Sequence, residues 1–211
     1  MSYIGTIGVS RLDHEKMFDL QRAKQMVNEK YDPTTIKIQT GWERGFDRLW
    51  RYEIPDPFFP TADIEDYVKS HFGEPINIHL ILKDTLILDA YPEFENLSLF
   101  AMYLPMKGTA GYYNPQTNGM VISIGKPSST FDYQIEGILL HEIQHLIQTI
   151  EGFASGGNPK RIGKRRYLRL AGEVEARNIC HRHFLTEEGR RRTLRTATQD
   201  IPDKEQIILP Y

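Results

Sequence analysis

The run GILLHEIQHLIQTIEG, residues 137–152, decides how this chain is read. At its centre stands His141-Glu142-Ile143-Gln144-His145, two histidines four apart with a glutamate after the first. At 100° per residue, Ile135, Leu139, Ile143, Leu146 and Ile150 fall on one apolar stripe of a helix. A neighbouring stripe carries Gln134, Ile138, His141, His145 and Gln148. His141 and His145 therefore stack on one face, where two imidazoles can converge on one ion. Glu142 stands one residue round, placed to take a proton without ligating a metal. The pattern is short, and the same spacing also arises on amphipathic helices whose histidines bond only to water or a carboxylate. The apolar setting favours the metal reading, because buried imidazole and carboxylate need partners.

Working outward, Ser129 or Thr130 can cap this helix and Gly152 can end it, which predicts a helix over about 131–150. FASGGNPKRIG, 153–163, reads as a glycine-rich loop. A second long helix is predicted over about 164–184 and a short one near 186–194, before an extended tail, DIPDKEQIILPY. Upstream, 14–29 and 62–72 have helical composition. LWRYEI, 49–54, alternates like a strand and stops at Pro55 and Pro57. INIHLIL, 76–82, reads as a strand or as the lead into a helix ending near Tyr91-Pro92. LSLFAMY, 97–103, reads as a strand, and 111–125 as a hairpin or as a loop followed by the strand Met120–Ile124. Strands early and helices late predict an α+β domain. The expected organisation is a single domain, with a helical lead-in over 1–39, a core over 40–184, and a C-terminal helix and tail over 185–211.

The bulk numbers fit one globular domain of 211 residues, 40% hydrophobic and 26% charged. A net charge of −2 argues against a strongly basic nucleic-acid binder. The charge is uneven, however. Residues 1–151 carry 13 Lys/Arg and 21 Asp/Glu, whereas residues 152–211 carry 13 and 7. The clusters KRIGKRRYLR, 160–169, and RRRTLR, 190–195, supply that basic part. They read either as solvated helix faces or as a surface for nucleic acid or an acidic partner, the first being favoured for want of interleaved aromatics. Cys180 is the only cysteine, so no intrachain disulfide forms. No signal peptide or membrane span is evident, and a cytoplasmic protein without membrane partners is expected.

Catalytic zinc takes three protein ligands and keeps one open position. No histidine follows between Glu151 and Gly156, so the third ligand must come from elsewhere. AGEVEARN, 171–178, offers Glu173 and Glu175, about 200° apart round a helix, so only one of them can face the ion. Glu173 lies 28 residues after His145, and a glycine-rich loop can turn the chain back over that distance. Cys180, His181 and His183 resemble a second cluster, but His181 is roughly 12 Å along the helix from Glu173. Trp42 and Trp50 read as core aromatics.

The stretches TGWERGFDRLWRYEI, DAYPEF, LLHEIQHLIQTIEGFASGGNP, LAGEVEARN and DIPDKEQII resemble the zincin-like metallopeptidase domains of phage and mobile-element polyvalent proteins, the large polyvalent protein-associated domains. The resemblance implies a zincin-like α+β fold, with a small mixed or antiparallel sheet on the helix bearing HEIQH and on a second long helix. It implies a hydrolase carried by a phage, prophage or conjugative element. Zincins with a glutamate ligand often show Glu-x-x-Ala followed by Asp or Asn, which points to Glu173 as the ligand and leaves Glu175 as the alternative. Arg177 departs from that acid or amide, and Arg48 stands where a turn glycine is expected after Asp47.

The reading that follows is a zinc-dependent metallopeptidase acting on a protein or peptide. Zn2+ is held by His141, His145 and Glu173, and Glu142 is the general base. Tyr112, Tyr113, Tyr167 and Arg165 are candidate oxyanion donors. The strand Met120, Val121, Ile122, Ser123, Ile124 is the candidate substrate-pairing edge. The competing classes are a binding protein that keeps the zincin scaffold without catalysis, and a nucleic-acid-binding accessory protein of a mobile element.

Overall fold

A computed structural model describes residues 3–9, 13–55, 61–82, 86–103, 110–114, 117–124 and 131–209. The capping positions Ser129 and Thr130, and Pro57, lie outside the described residues. The strands are β1 (Tyr3–Ile7), β2 (Trp42–Arg44), β3 (Trp50–Pro55), β4 (Pro75–Asn77), β5 (Ser98–Tyr103), β6 (Ala110–Asn114) and β7 (Gly119–Ile124). The helices are α1 (His14–Asn28), α2 (Pro33–Thr40), α3 (Thr61–Ser70), α4 (His79–Leu82), α5 (Leu86–Ala90), α6 (Phe131–Glu151), α7 (Pro159–Ile162), α8 (Lys164–Tyr167), α9 (Ala171–Arg182) and α10 (Glu187–Arg192). The class is α+β, as the patterning predicts. No helix among the described residues is long and apolar enough to cross a membrane.

The first sheet has the order β1-β3-β2 and is antiparallel. The stretch before α1 is therefore not only helical: it supplies an outer strand. Asp13 and Asp32 cap α1 and α2 by accepting from Lys16 N–H and Thr35 N–H. These helices place Leu20, Ala23, Met26 and Ile36 over Trp42 and Trp50, forming a small separate core. The β2–β3 turn holds Arg48 at φ 67°, the left-handed conformation that a glycine adopts without strain. Asp47 supports this turn by accepting from Leu49 N–H and from the Arg51 guanidinium.

The second sheet has the order β4-β5-β7-β6, with β5 and β7 parallel and the other pairs antiparallel. Helix α6 packs on β1 of the first sheet and on β6 and β7 of the second, with α3 and α9 also against it. That enclosure buries Leu140 and Ile147 as well as the stripe residues Ile135, Leu139, Ile143 and Leu146. One polar residue crosses this apolar surface. Gln144 accepts from Thr6 N–H and donates to Thr6 Oγ, which fixes β1 to α6 while leaving neither group unsatisfied.

Gly152, at φ 68°, ends α6, and Phe153 N–H returns to the Gln148 carbonyl. The single helix expected over 164–184 is instead broken between α8 and α9. Leu170 is extended and buried there and bridges Ile207 of the tail. Ala171 N–H bonds to Ile207 O, and Ile207 N–H bonds to Arg169 O. These bonds divert the backbone from the helical ladder. The tail is correspondingly less extended than expected, with a 3-10 turn at Asp203–Glu205, after another at Arg195–Ala197 just before the tail.

The basic C-terminal part largely serves as internal bracing. Arg182 is buried, pairs with Glu53 of β3, and donates to the carbonyls of Arg190 and Thr193. Arg195 binds Asp203 and the Arg44 carbonyl, and Arg177 binds Asp200 and the Leu168 carbonyl. Arg51, also buried, joins Asp47 to Glu175 of α9 and lies 3.6 Å over the Phe153 ring. Asp47 also accepts from Ala154 N–H at 2.8 Å, tying the β2–β3 turn to the loop after α6.

Replacing Arg182 with Ala should cost about 3 kcal/mol, because Glu53 loses its closest buried cation. The check is a lower urea midpoint with an unchanged denaturant slope. Asp47 gives a pH signature. Burial pushes its carboxyl up, but Arg51 and the Ala154 N–H outweigh burial and hold it below the ordinary value. A depressed folded pKa contributes stability above the unfolded value, about 3.9, that is lost as pH falls through the folded one. Asp47→Asn should therefore melt below the wild type at neutral pH, with the gap closing below about pH 4. A gap that stays constant down to low pH contradicts this account.

Candidate metal centre

Helix α6 presents His141 and His145 one turn apart, and α9 brings Glu173 against them. Their ligand-type atoms all lie within 4.8 Å of one another. The two Nε2 atoms are 3.0 Å apart, and Glu173 lies 3.4 Å from His141 Nε2 and 3.5 Å from His145 Nε2. The imidazoles are 18% exposed while the carboxylate is 3% exposed, so the cluster is backed by protein and open on the histidine side.

Backbone contacts set this approach. A Cβ on Gly172 would stand 2.4 Å from Ala154 O and 2.5 Å from Gly156 N, so α9 rests directly on the loop that follows α6. A Cβ on Gly156 would meet Glu173 Oε1 at 2.4 Å and His145 Cε1 at 2.5 Å. Gly157 N–H donates to Glu173 Oε1 at 3.0 Å. Glu173 also sits in the first turn of α9, where the helix dipole favours a carboxylate.

Gln148 fixes the chemistry of His145. Its Nε2 donates to Gly172 O and to Glu175 Oε2, both acceptors. Its Oε1 therefore faces His145 Nδ1, 2.8 Å away, and Nδ1 must carry the proton. In the neutral ring that leaves the Nε2 lone pair directed at His141 and Glu173. Gln148 shares the histidine stripe in the sequence, but its bonding role is visible only once α9 is in place. Arg51 and Asp47 belong to the same network, and no sequence motif marks them as such.

Glu175 stands on the other side of α9 and pairs with Arg51 at 2.7 Å. The geometry thus separates the two glutamates, with Glu173 at the histidines and Glu175 supporting Gln148. Arg177, in the place of an expected acid or amide, turns away to Asp200. Cys180 donates to Gly137 O, burial pushes its thiol up to about 12, and His183 pairs with Glu136. Neither joins the cluster.

Charges here are strongly coupled. Burial would raise the Glu173 pKa, but the two imidazoles and Gly157 N–H hold it well below the carboxylate range. Burial lowers His141. Burial opposes protonation of His145 as well, yet Glu173, Glu142 and Gln148 raise it overall. Glu142 is 4% exposed, and burial above all pushes its carboxyl up to about 7.

Of the candidate oxyanion donors, only Tyr167 reaches the cluster. Burial and the adjacent Glu173 carboxylate raise its hydroxyl pKa. Tyr113 donates to Asn118, and Arg165 is exposed with no side-chain partner among the described residues. Gly111 faces α6 so closely that a Cβ would lie 2.4 Å from Glu142 Oε1. Strand alternation then turns Tyr112 to the opposite face, where it is exposed. The candidate substrate edge also needs correction. Met120, Val121, Ile122, Ser123 and Ile124 form β7, which is bonded to β5 on one side and to β6 on the other. It has no free edge. Among the described residues the outer strand beside Glu142 is β6.

No curated protein and no solved structure matches the chain. Residues 2–59, which hold the first sheet, α1, α2, Asp47 and Arg51, match the family model of large polyvalent protein associated domain 23, and the cluster on α6 and α9 lies outside the matched part.

Proposed function

We propose that this chain is a zinc-dependent metallopeptidase. The observation that carries the reading is the convergence of His141, His145 and Glu173, with Glu142 beside them on the same helix. The donor set suits zinc, two imidazoles and a carboxylate with room for a further ligand. Two features support the fit. Glu173 Oε2 is buried and accepts no hydrogen bond from the described residues, and a cation would satisfy it. Gln148 directs the His145 Nε2 lone pair at the same point.

His141, His145 and Glu173 would hold the ion, which supplies Lewis acidity to water and to a carbonyl oxygen. The chain's own residues do the rest. Glu142, held at about 7, can take a proton from water and return it to the leaving amine near neutral pH. Tyr167, kept protonated beside Glu173, can donate to the developing oxyanion. Strand β6 offers its outer edge to an extended peptide, and Gly111 brings that strand against Glu142. Gln148 orients His145, and Arg51 holds Glu175 behind it.

The test is cleavage of a mixed peptide library by the full chain loaded with zinc. Cleavage should occur, should stop with a chelator, and should return when zinc is restored. Glu142→Gln should retain zinc while losing on the order of a hundredfold or more in rate. Undiminished cleavage by a zinc-loaded Glu142→Gln protein would show that Glu142 is not the base. A zinc-loaded wild type that cleaves nothing would favour a binding role for this scaffold.

A further inference from the structure

The loop and helices after α6 leave the metal centre and come back to it. Gly157 N–H bonds to Glu173, and Tyr167 lies against the same carboxylate. Between them, residues 158–166 form an excursion containing α7 and all of α8 but its last residue, Tyr167. Five of its residues are cationic: Lys160, Arg161, Lys164, Arg165 and Arg166. All five are exposed, and none has a side-chain hydrogen bond or ion pair within the described residues. This sets them apart from Arg169, Arg177, Arg182, Arg191, Arg192 and Arg195, whose side chains are all engaged in the fold. Each of the five lies at most four residues from Gly157 or Tyr167, so its backbone is within roughly 14 Å of that anchor's backbone even for a fully extended chain.

We infer that α7 and α8 form a cationic lip that selects substrates carrying an acidic segment next to the scissile bond. The inference rests on the metallopeptidase reading for the word substrate. The lip itself is a binding surface that can be tested without catalysis. Five like charges in seven residues repel one another and cost stability unless they face opposite charge. At physiological salt the Debye length is about 8 Å, so such a cluster acts on what lies directly over it. An acidic polypeptide fits better than a nucleic acid. The lip's one aromatic, Tyr167, is half-buried and so a poor stacking platform, and the chain as a whole has a net charge of −2.

The experiment uses the full chain as the zinc-loaded Glu142→Gln variant, which keeps the probe intact. Three labelled probes are compared by fluorescence anisotropy: a peptide with a run of glutamates, its glutamine counterpart and a short single-stranded DNA. The acidic peptide should bind at least about tenfold more tightly than the neutral one, and its affinity should fall as salt rises. Adding Lys160→Gln, Arg161→Gln and Lys164→Gln should remove most of that preference with no change in melting temperature. Equal binding of the two peptides, or tightest binding of the DNA, overturns the proposal. In the parallel cleavage assay, the same three substitutions on the wild-type background should raise KM for acidic peptides and leave kcat unchanged. If acidic peptides bind the lip but no peptide is ever cut, the metallopeptidase reading fails while the lip remains as an acidic-partner site.

Discussion

One amide holds the centre of this molecule together. Gln148 accepts from His145 on its own helix, donates to the Gly172 carbonyl at the start of α9, and donates to Glu175. An amide has a fixed sense, with donors on one side and an acceptor on the other. Because its donor side is committed to oxygen atoms of α9, its acceptor side fixes the protonated nitrogen of His145. The same contact sets the axial position of α9 against α6, and with it the placement of Glu173. Ring orientation and helix register are thus two results of one interaction.

Space around that amide is cleared by glycine and filled by arginine. Gly156 and Gly172 let the loop and α9 touch backbone to backbone, and Gly111 lets β6 pass over Glu142. Side chains at those points would displace His145, Glu173 and Glu142 from one another. Behind them, Arg51 of β3 pairs with Glu175 of α9, and Arg182 of α9 pairs with Glu53 of β3. Such buried pairs contribute little net stability compared with apolar packing, but losing one partner is costly. They bind the first sheet, which lies within the family match, to the helix that carries Glu173. The two parts of the chain therefore depend on each other structurally, although the family model covers only one.

The sequence disclosed what periodicity and spacing encode. The length of α6, the facing of His141 and His145, the burial of Ile135, Leu139, Ile143 and Leu146, and the α+β class were all legible. So was the pair Glu173 and Glu175 as source of the downstream carboxylate, with Glu173 singled out by the family resemblance and not by helix geometry. What separated them was Arg51, 124 residues away in the chain, which takes Glu175. The break at Leu168–Leu170 was hidden for the same reason: the residues have ordinary helix propensity, and an isolated bridge to Ile207 of the tail overrides it. Strand order was also invisible. Met120–Ile124 is β-branched and short whether it lies at an edge or in the interior, and only the pairing with both β5 and β6 shows that it is interior. The excess of arginine suggested an outward-facing surface, whereas most of those side chains turn inward to carbonyls and carboxylates.

The central claim is that one ion is held by His141, His145 and Glu173, with Glu175 in support. Zinc content per chain, measured by mass spectrometry after zinc is offered and excess removed, tests it most directly. Expected are one zinc per wild-type chain, loss of zinc in His141→Ala and in Glu173→Ala, and retention in Glu175→Ala. A wild type without zinc would contradict it, as would a Glu175→Ala protein that loses the ion while Glu173→Ala keeps it.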